Sequence, residues 1–412
     1  MDTIKHIQEN NLFFFTHEYP YGNSEVYIAN ELKVLAEKFD NVFLFPLRSN
    51  GDPRELPNKN IKIIQLFESN ISVNMKLLLN NLNLFTGIIL NEFKSTPNKR
   101  TFLKMLPELK SRLLQNIYRA NVLEQYLKSF DSFKGYYYSF WTDEWATVLS
   151  ILTQRYLIKG FVSRVHGYDL YKERWKNQLI PFRYFQLKNV TRIVAVSKDG
   201  LNYMRENYPL YHHKFDLNHL NVFDEGTNPW SEKSVFTIVS CSNLIPLKRL
   251  HLILEALKNT TVQMNWIVFG DGELREILKE QSKMLPANVT CEFRGSIKNT
   301  ELMNFYRTQP VHLFIHMSET EGGVPLALQE AASFGIPLIG ADAGGVGEIV
   351  SEKTGILTPK NITALELAAF ILKFKNGEKN TPDFRKQVKK HWQKWFDAKV
   401  NYENLYLISP SL

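Results

Sequence analysis

One order of elements occurs twice in the sequence, and this repeated order limits the fold more than any other feature. Residues 11–16 (NLFFFT) form an apolar run, a turn follows, and residues 24–39 carry apolar side chains at near-helical spacing. A second apolar run occupies residues 41–46. Strand, loop, helix and strand in this order open a doubly wound α/β domain, in which helices cover both faces of a parallel sheet.

The rest of the chain continues this alternation and then restarts it. Strand signals recur at residues 135–140, 161–165 and 192–196, and a polar stretch follows at residues 224–234. Beyond it the strand signals are residues 235–240, 266–270, 289–293, 311–316 and 336–340. A chain of 412 residues is long for one core, since single cores stop growing at roughly 250–300 residues. We therefore expect two Rossmann-like domains, residues 1–230 and 231–382, with a cleft between them.

Two predicted helices, one near the C-terminus and one in the first half of the chain, have to be placed in this architecture. The last amphipathic helix, about residues 383–408, carries Trp392, Trp395 and Phe396, and we expect it to pack back onto the first domain. Residues 75–93 mix leucines and isoleucines with asparagines, which is too polar for a membrane span. Such a helix covers the domain core or lies on a membrane surface with its apolar face down.

The charge distribution favours an anionic partner but does not identify it. Residues 1–225 contain 29 Lys+Arg against 23 Asp+Glu, whereas the remainder contains 21 against 19, within a net charge of +8. A basic first half suits an anionic membrane or an acidic acceptor, and a simple solubilising surface explains it equally well. Cys241 and Cys291 each lie in an apolar run, so we expect buried strand residues and a reducing, cytoplasmic location. No signal-peptide core or spanning helix is predicted.

An anion pocket is predicted in the segment SETEGGVPLALQEAASFGIPLIGADAGGVGEIV, residues 318–350. A strand ends before it, and a loop of small residues leads into a helix-forming run; the loop consists of Gly322, Gly323, Val324 and Pro325. Glycines let the backbone approach a ligand closely, and the amides of a helix start attract phosphate. Glu321 and Glu330 flank the loop, and carboxylates there would accept hydrogen bonds from sugar hydroxyls.

This segment resembles the donor site of retaining glycosyltransferases of family 4, which have the GT-B fold and include bacterial capsular, exopolysaccharide and lipopolysaccharide enzymes. The resemblance implies that Glu321 contacts the transferred sugar and Glu330 the nucleotide ribose. The family usually separates these glutamates by seven residues, whereas this chain has eight, Gly322 to Gln329. Gly344, Gly345 and Glu348 fit the family's run after the next strand.

Further residues carry the resemblance along the second half of the chain. Lys248 matches a family lysine that would neutralise the departing diphosphate, and Arg249 would supply a second charge or face solvent. The family often has an arginine where this chain has Asn243. Segments that line the nucleotide in the family match here at Gly270, Asp271, Gly272 and Arg294. The sequence has no Asp-x-Asp motif, so we expect a metal-independent site.

The first half of the chain matches the family at two loops. The turn HEYPYGNSE resembles a glycine loop near the sugar and the acceptor, with Gly22, Asn23 and Glu25 as its candidate residues. His166 follows a predicted strand in HGYDLY, and the resemblance implies that it contacts the transferred sugar. The expected catalytic residues are thus His166, Glu321 and Lys248. His212, His213 and His219 show no ligand spacing. His312 and His316 fall in a predicted strand and are interpreted as packing residues.

The predicted function is transfer, with retention, of a hexose-type sugar from a nucleotide sugar to a glycan or lipid-linked acceptor in polysaccharide biosynthesis. A UDP-sugar is favoured and a GDP-sugar remains open. No cofactor and no nucleic acid partner are expected, and contact with the anionic inner face of the plasma membrane is anticipated. Two alternatives stay open: a nucleotide-sugar-binding subunit without catalysis, and a nucleotide-sugar epimerase on the same fold. A dehydrogenase is disfavoured because no G-x-G-x-x-G follows the first strand.

Overall fold

The computed structural model describes residues 10–22, 25–67, 75–129, 133–231, 234–377 and 379–408. By the density of backbone contacts the chain divides into two compact units. The first comprises residues 1–196, 200–218 and 402–412, and the second comprises residues 197–199 and 219–401.

The first unit is built on a seven-stranded, wholly parallel sheet with the strand order β3-β2-β1-β4-β5-β6-β7. Its strands are β1 (Asn11–Thr16), β2 (Asn41–Pro46), β3 (Ile61–Ile63), β4 (Tyr136–Ser139), β5 (Val162–Val165), β6 (Arg192–Ala195) and β7 (Phe215–Leu217). β1 and β2 have the predicted bounds. β3 and β7 were not predicted, because three residues are too few to show a period.

Helices connect these strands. They are α1 (Ile28–Ala36), α2 (Met75–Asn80), α3 (Leu82–Ser95), α4 (Lys99–Lys128), α5 (Glu144–Gln154), α6 (Gly167–Leu170), α7 (Arg183–Asn189) and α8 (Lys198–Asn207). The predicted helix 24–39 is shorter in the structure. The predicted helix 75–93 is two helices, and the second buries Phe85 and Ile88 in the core while Leu82 and Leu90 stay exposed. Within the described residues no helix is long and apolar enough to cross a membrane.

Aromatic side chains dominate the core of the first unit. Phe13 and Phe15 of β1 point to the same face, since side chains alternate along a strand. Phe13 stacks on Phe43 at 5.4 Å between ring centroids, and Phe15 lies 4.8 Å from Trp145 of α5. Every residue from Leu12 to Thr16 is buried, as expected for a central parallel strand that helices cover on both faces.

The second unit repeats the architecture with a six-stranded parallel sheet in the order β10-β9-β8-β11-β12-β13. Its strands are β8 (Phe236–Cys241), β9 (Met264–Phe269), β10 (Val289–Gly295), β11 (Leu313–His316), β12 (Leu338–Ala341) and β13 (Gly355–Thr358). Its helices are α9 (Leu250–Lys258), α10 (Arg275–Ser282), α11 (Asn299–Thr308), α12 (Leu326–Ser333), α13 (Val346–Ile349), α14 (Ala364–Asn376) and α15 (Pro382–Phe396), and α16 (Ala398–Ile408) ends the described chain. The predicted pair of Rossmann-like domains is confirmed.

The C-terminal helix corrects the expected domain assignment. It is divided at Asp397, and its first part, α15, packs against α12 inside the second unit. Val388, Trp392 and Phe396 repeat every four residues and are buried in the core of that unit. Only residues from Tyr402 onward belong to the first unit, and the second unit begins at His219 instead of residue 231.

Candidate functional site

The strand order of the second unit places two loops side by side. β8 pairs with both β9 and β11, so the chain runs outward in opposite directions from the β8–β11 pair. In open parallel sheets, ligands bind at the carboxyl ends of the strands where the order reverses in this way. Residues 242–249 follow β8 and residues 317–325 follow β11, and these are the two segments in which the sequence predicts the donor site.

Glu321 is held between two cationic or polarisable groups at this point. Its Oε1 pairs with the ammonium of Lys248, and it lies 2.8 Å from His316 Nε2. The Glu321 and His316 side chains are 15% and 6% exposed. Burial alone would raise the pKa of Glu321, but His316 and Lys248 lower it to about 2. Glu321 is therefore ionised at neutral pH, and Lys248 and His316 are its partners.

The loop that follows Glu321 is packed tightly against the segment AGGVGE. A Cβ on Gly344, whose φ is +55°, would lie 2.2 Å from the backbone oxygen of Glu321. A Cβ on Gly345 would lie 2.6 Å from the backbone of Gly323. Only glycine allows this approach, so Gly344 and Gly345 set the course of the loop of Gly322, Gly323, Val324 and Pro325.

Helix α12 begins directly after that loop. The first helical residue is Leu326, so Pro325 is the N-cap residue and not the first helical residue that the sequence predicts. The amides at the start of a helix have no partner within the helix, and the helix dipole makes them partly positive. The start of α12 can therefore bind an anionic group, as the sequence predicts.

Glu330 lies one turn into α12 and faces Asn299 at the start of α11. Asn299 Nδ2 donates to Glu330 Oε1 at 2.7 Å. Burial raises the pKa of Glu330 to about 7, and the Asn299 hydrogen bond opposes that shift. The carboxyl group is thus near its protonation midpoint at neutral pH. The sequence did not suggest Asn299, because the contact joins two elements that are far apart in the chain.

The segment Gly270, Asp271 and Gly272 is folded against the loop that follows β8. A Cβ on Gly270, whose φ is +122°, would lie 1.9 Å from the oxygen of Ser242. Leu244 N donates to Asp271 O at 2.8 Å. The Asp271 carboxylate pairs with Arg275 at 2.8 Å and accepts from Gly272 N, so it stabilises its own turn.

Two predicted donor-binding arginines are anchored within the fold. Arg294 pairs with Glu292 at 2.9 Å, and its guanidinium lies 4.9 Å from the ring centroid of Phe305. Arg249 donates through Nε to Met317 O and through Nη1 to Lys360 O, each at 2.7 Å. Arg249 thus ties two loops together through backbone oxygens, while its Nη2 has no hydrogen-bond partner among the described residues. Its expected charge for the diphosphate stays a prediction.

His166 follows β5 in the first unit and is stacked between aromatic rings. Its ring centroid lies 4.7 Å from Phe140 and 4.3 Å from Trp141. It is 6% exposed, and neither ring nitrogen has a hydrogen-bond partner among the described residues. Burial, together with the charge of Arg164, lowers the pKa of His166 well below its ordinary value. A neutral, unpaired and immobilised imidazole can exchange hydrogen bonds with a ligand hydroxyl.

Within the predicted acceptor loop, Glu25 has a different role from the expected one. Its carboxylate is buried and accepts from the backbone amides of residues 17–19 and from Trp141 Nε1. Glu25 therefore shapes the loop and is not available to an acceptor, which corrects that prediction. Gly22 O accepts from Arg54 Nη2 at 2.8 Å. Asn23 lies outside the described residues.

A cluster that sequence reasoning missed lies beside this loop. His17 Nε2 pairs with Asp143, and it lies 3.6 Å from Glu144. The His17 ring stacks on Trp141, and the Trp141 ring also lies against His166. Burial would lower the pKa of His17, but the two carboxylates raise it to about 11.

The ligand atoms of His17, Asp143 and Glu144 lie within 4.8 Å of one another, and such a group could hold a metal ion. However, both carboxylates already have cationic partners: His17 pairs with Asp143, and Arg112 lies 3.2 Å from Glu144 and 2.9 Å from Glu108.

The second unit matches a known family. Residues 227–391 match the family described as "Glycosyl transferases group 1". The matched residues lie within the second unit, from His219 to Asn401. It contains Lys248, His316, Glu321, Glu330 and the glycine loops described above.

Individual relatives agree with this family. The chain is 25% identical over 194 residues to a component of the human phosphatidylinositol N-acetylglucosaminyltransferase, which is 46% of this chain and 40% of that protein. It is 29% identical over 143 residues to the putative colanic acid biosynthesis glycosyltransferase WcaL of Escherichia coli K12, covering 32% and 35%. The matches thus span less than half of these relatives.

A solved structure resembles the whole chain. HepE of Anabaena, crystallised with UDP-glucose, superposes with a TM-score of 0.63 at 15% identity, over 98% of this chain and 100% of that one. This likeness confirms the GT-B fold.

In the second unit the structure brings together Lys248 and Glu321, which the sequence proposed separately. It adds His316, which the sequence assigned to packing, and His219, whose Nε2 lies 2.7 Å from Glu348 Oε2. Both histidines could have been noticed by position, since one ends β11 and the other follows β7. Their partners could not, because the pairing depends on how the loops fold.

Proposed function

We propose that this protein is a metal-independent, retaining glycosyltransferase that moves a hexose-type sugar from a UDP-sugar to a glycan or lipid-linked acceptor in polysaccharide biosynthesis. The observation that carries the proposal is the ionised Glu321 between Lys248 and His316, at the strand-order reversal and beside the anion-binding start of α12. This arrangement offers the Glu321 carboxylate to sugar hydroxyls, and it offers the Lys248 ammonium and the α12 amides to a diphosphate.

Each donor group has a partner in this proposal. The diphosphate binds the amides at the start of α12 and the ammonium of Lys248, which then shares its charge between Glu321 and phosphate. Glu321 accepts hydrogen bonds from the sugar, and Glu330 accepts them from the ribose. His166 contacts the sugar through an unpaired ring nitrogen.

The transfer itself needs no protein nucleophile. The bond from the anomeric carbon to the phosphate oxygen breaks, and the acceptor hydroxyl oxygen bonds to the same face of that carbon. The hydroxyl proton passes to the departing phosphate oxygen. Lys248 and the α12 amides stabilise the negative charge that develops on the diphosphate, which is where such donors lower a barrier most.

Relatives support the donor and the setting of the proposal. HepE was crystallised with UDP-glucose, which favours a UDP-sugar here. WcaL is named for colanic acid, a setting that favours a polysaccharide product. The exposed Leu82 and Leu90 of α3, with Lys94 in its last turn, favour peripheral contact with an anionic membrane.

The test combines donor binding with turnover. Purified protein is incubated with UDP- and GDP-sugars, with and without membrane lipid extract, and both donor hydrolysis and transfer are measured. The proposal predicts a sugar-dependent signal that Lys248→Ala and Glu330→Ala each strongly reduce. Donor binding without hydrolysis or transfer under any of these conditions would instead identify a binding subunit.

A further inference from the structure

The first unit contains a cavity that the proposed transfer site does not use. It has a volume of about 700 Å³ and lies among α3, the end of α5 and α7. α5 and α7 both end here just before β5 and β6 begin, so the cavity is at the amino edge of the sheet. His166 follows the other end of β5, and a strand of four residues spans roughly 13 Å. The cavity is therefore separate from the His166 site.

The cavity combines an apolar floor with unused polar groups. Ile88, Ile158 and Phe185 are buried beneath it. Four polar side chains also line it and make no hydrogen bond or ion pair with the residues that the structure describes; they are Asn91, Gln154, Lys159 and Lys188. Two amides and two ammonium groups can donate to hydroxyl, carboxylate or phosphate oxygens, and the amides can also accept.

Tyr156 on the lining is held in an unusual backbone conformation. Its N–H donates to Thr153 O at 3.0 Å, and Leu157 N–H donates to Leu152 O at 3.1 Å. This is the motif that ends helices with a left-handed residue, for which glycine is the usual choice. Tyr156 has φ +58° and is nevertheless a large side chain with 95% exposure.

Neither packing nor backbone preference accounts for a tyrosine at this position. An exposed ring gains nothing from burial in the unit itself, and a left-handed φ disfavours any residue with a Cβ. Strained residues of this kind occur preferentially where a ligand is bound. An exposed aromatic ring beside amide and ammonium groups is suited to the apolar face of a sugar ring.

We propose that this cavity binds an acidic saccharide, with one sugar ring stacked on Tyr156 and with Lys159 and Lys188 paired to its carboxylate or phosphate groups. This inference rests on the proposed function in one respect. A transferase that extends a glycan can bind the acceptor chain at a second place, away from the transferred sugar. Binding to the cavity itself requires no transfer.

The test uses variants that separate binding from folding. Binding of the full-length protein is measured on an array of acidic and neutral oligosaccharides, and then by calorimetry for the strongest ligand. Tyr156→Gly and Tyr156→Asn remove the ring but suit a left-handed backbone, so each should melt at the same or a higher temperature while weakening binding about tenfold or more. Tyr156→Phe keeps the ring and should keep binding. Lys159→Gln with Lys188→Gln should weaken acidic ligands only.

Three results would overturn the proposal: no oligosaccharide bound by the unchanged protein, binding that Tyr156→Gly leaves intact, or Tyr156-dependent binding only to inorganic phosphate or to phosphatidylglycerol vesicles. The last would assign the cavity to a lipid headgroup or free phosphate. A thermal shift with UDP-glucose is measured on the same variants and should be unchanged by them. If the unchanged protein shows no thermal shift with UDP-glucose, the proposed donor site is contradicted, but the saccharide cavity is not.

Discussion

His316 Nε2 lies 2.8 Å from Glu321 Oε1, so the last residue of β11 holds the carboxylate that begins the glycine loop. Strand ends are rigid because their backbone is part of the sheet. A ligand group supported from a strand end therefore keeps its position better than one carried by a loop alone.

The first prediction concerns this contact. Replacing His316 with Ala should raise the pKa of Glu321 from about 2 toward its ordinary 4.5. A carboxylate with a depressed pKa stabilises the folded state above pH 4.5, and this contribution disappears as the pH falls toward 2. The variant should thus lose on the order of 1–3 kcal/mol of unfolding free energy near neutral pH, and progressively less as the pH falls below 4.5. Denaturant unfolding across pH 3–8 measures the difference, and parallel curves would contradict it.

Lys248 should matter for turnover more than for folding. Because it is placed to offset charge on the leaving diphosphate, Lys248→Ala should lower kcat about 100-fold or more. Lys258→Ala is the matched control, since Lys258 is a lysine of α9 whose partner is Glu255. Steady-state kinetics on both variants test this. Equal effects of the two substitutions would remove Lys248 from the donor site.

The affinity for donor should depend on pH through Glu330. Burial raises its pKa to about 7, so the ionised form that accepts ribose hydrogen bonds increases as the pH rises from 6 to 8. Affinity for UDP-glucose should rise over this range in the unchanged protein and stay flat in Glu330→Gln. The measurement uses UDP-glucose and not UDP, because the terminal phosphate of UDP titrates near pH 6 and would add its own pH dependence. A pH-independent Kd in the unchanged protein would exclude the role.

His166 should separate stability from activity. Its ring nitrogens are buried without partners among the described residues, which costs folding free energy, whereas its stacking on Phe140 and Trp141 needs only an aromatic ring. His166→Phe should therefore fold with an unchanged or higher Tm and lose transfer activity roughly 10- to 100-fold. A fall in Tm with unchanged specific activity would make His166 a structural residue.

Metal removal tests the cluster of His17, Asp143 and Glu144. His17 and Arg112 already pair with its carboxylates, so treatment with a chelator should leave both turnover and Tm unchanged. Restoration of a lost activity by Mg²⁺ or Mn²⁺ would contradict this. Asp143→Asn would then show whether the cluster is the site of the ion.

Local sequence patterns were sufficient for much of the fold. β1 and β2 have the predicted bounds because short apolar runs rich in phenylalanine are typical of buried strands, and the glycine loop before α12 follows from the same kind of short-range rule. The short edge strands and the exact ends of helices were not predictable, since pairing with a neighbour decides them.

What the sequence alone determined is therefore the order of elements, the two α/β domains and the loops that carry Glu321, Glu330 and His166. Only the tertiary structure decided what those loops contact: it paired Lys248 and His316 with Glu321, turned Glu25 and Arg249 into supports for the backbone, and placed α15 on the second unit. The reason is physical. Secondary structure follows from neighbouring residues, whereas charge pairing and burial depend on residues that only folding brings together.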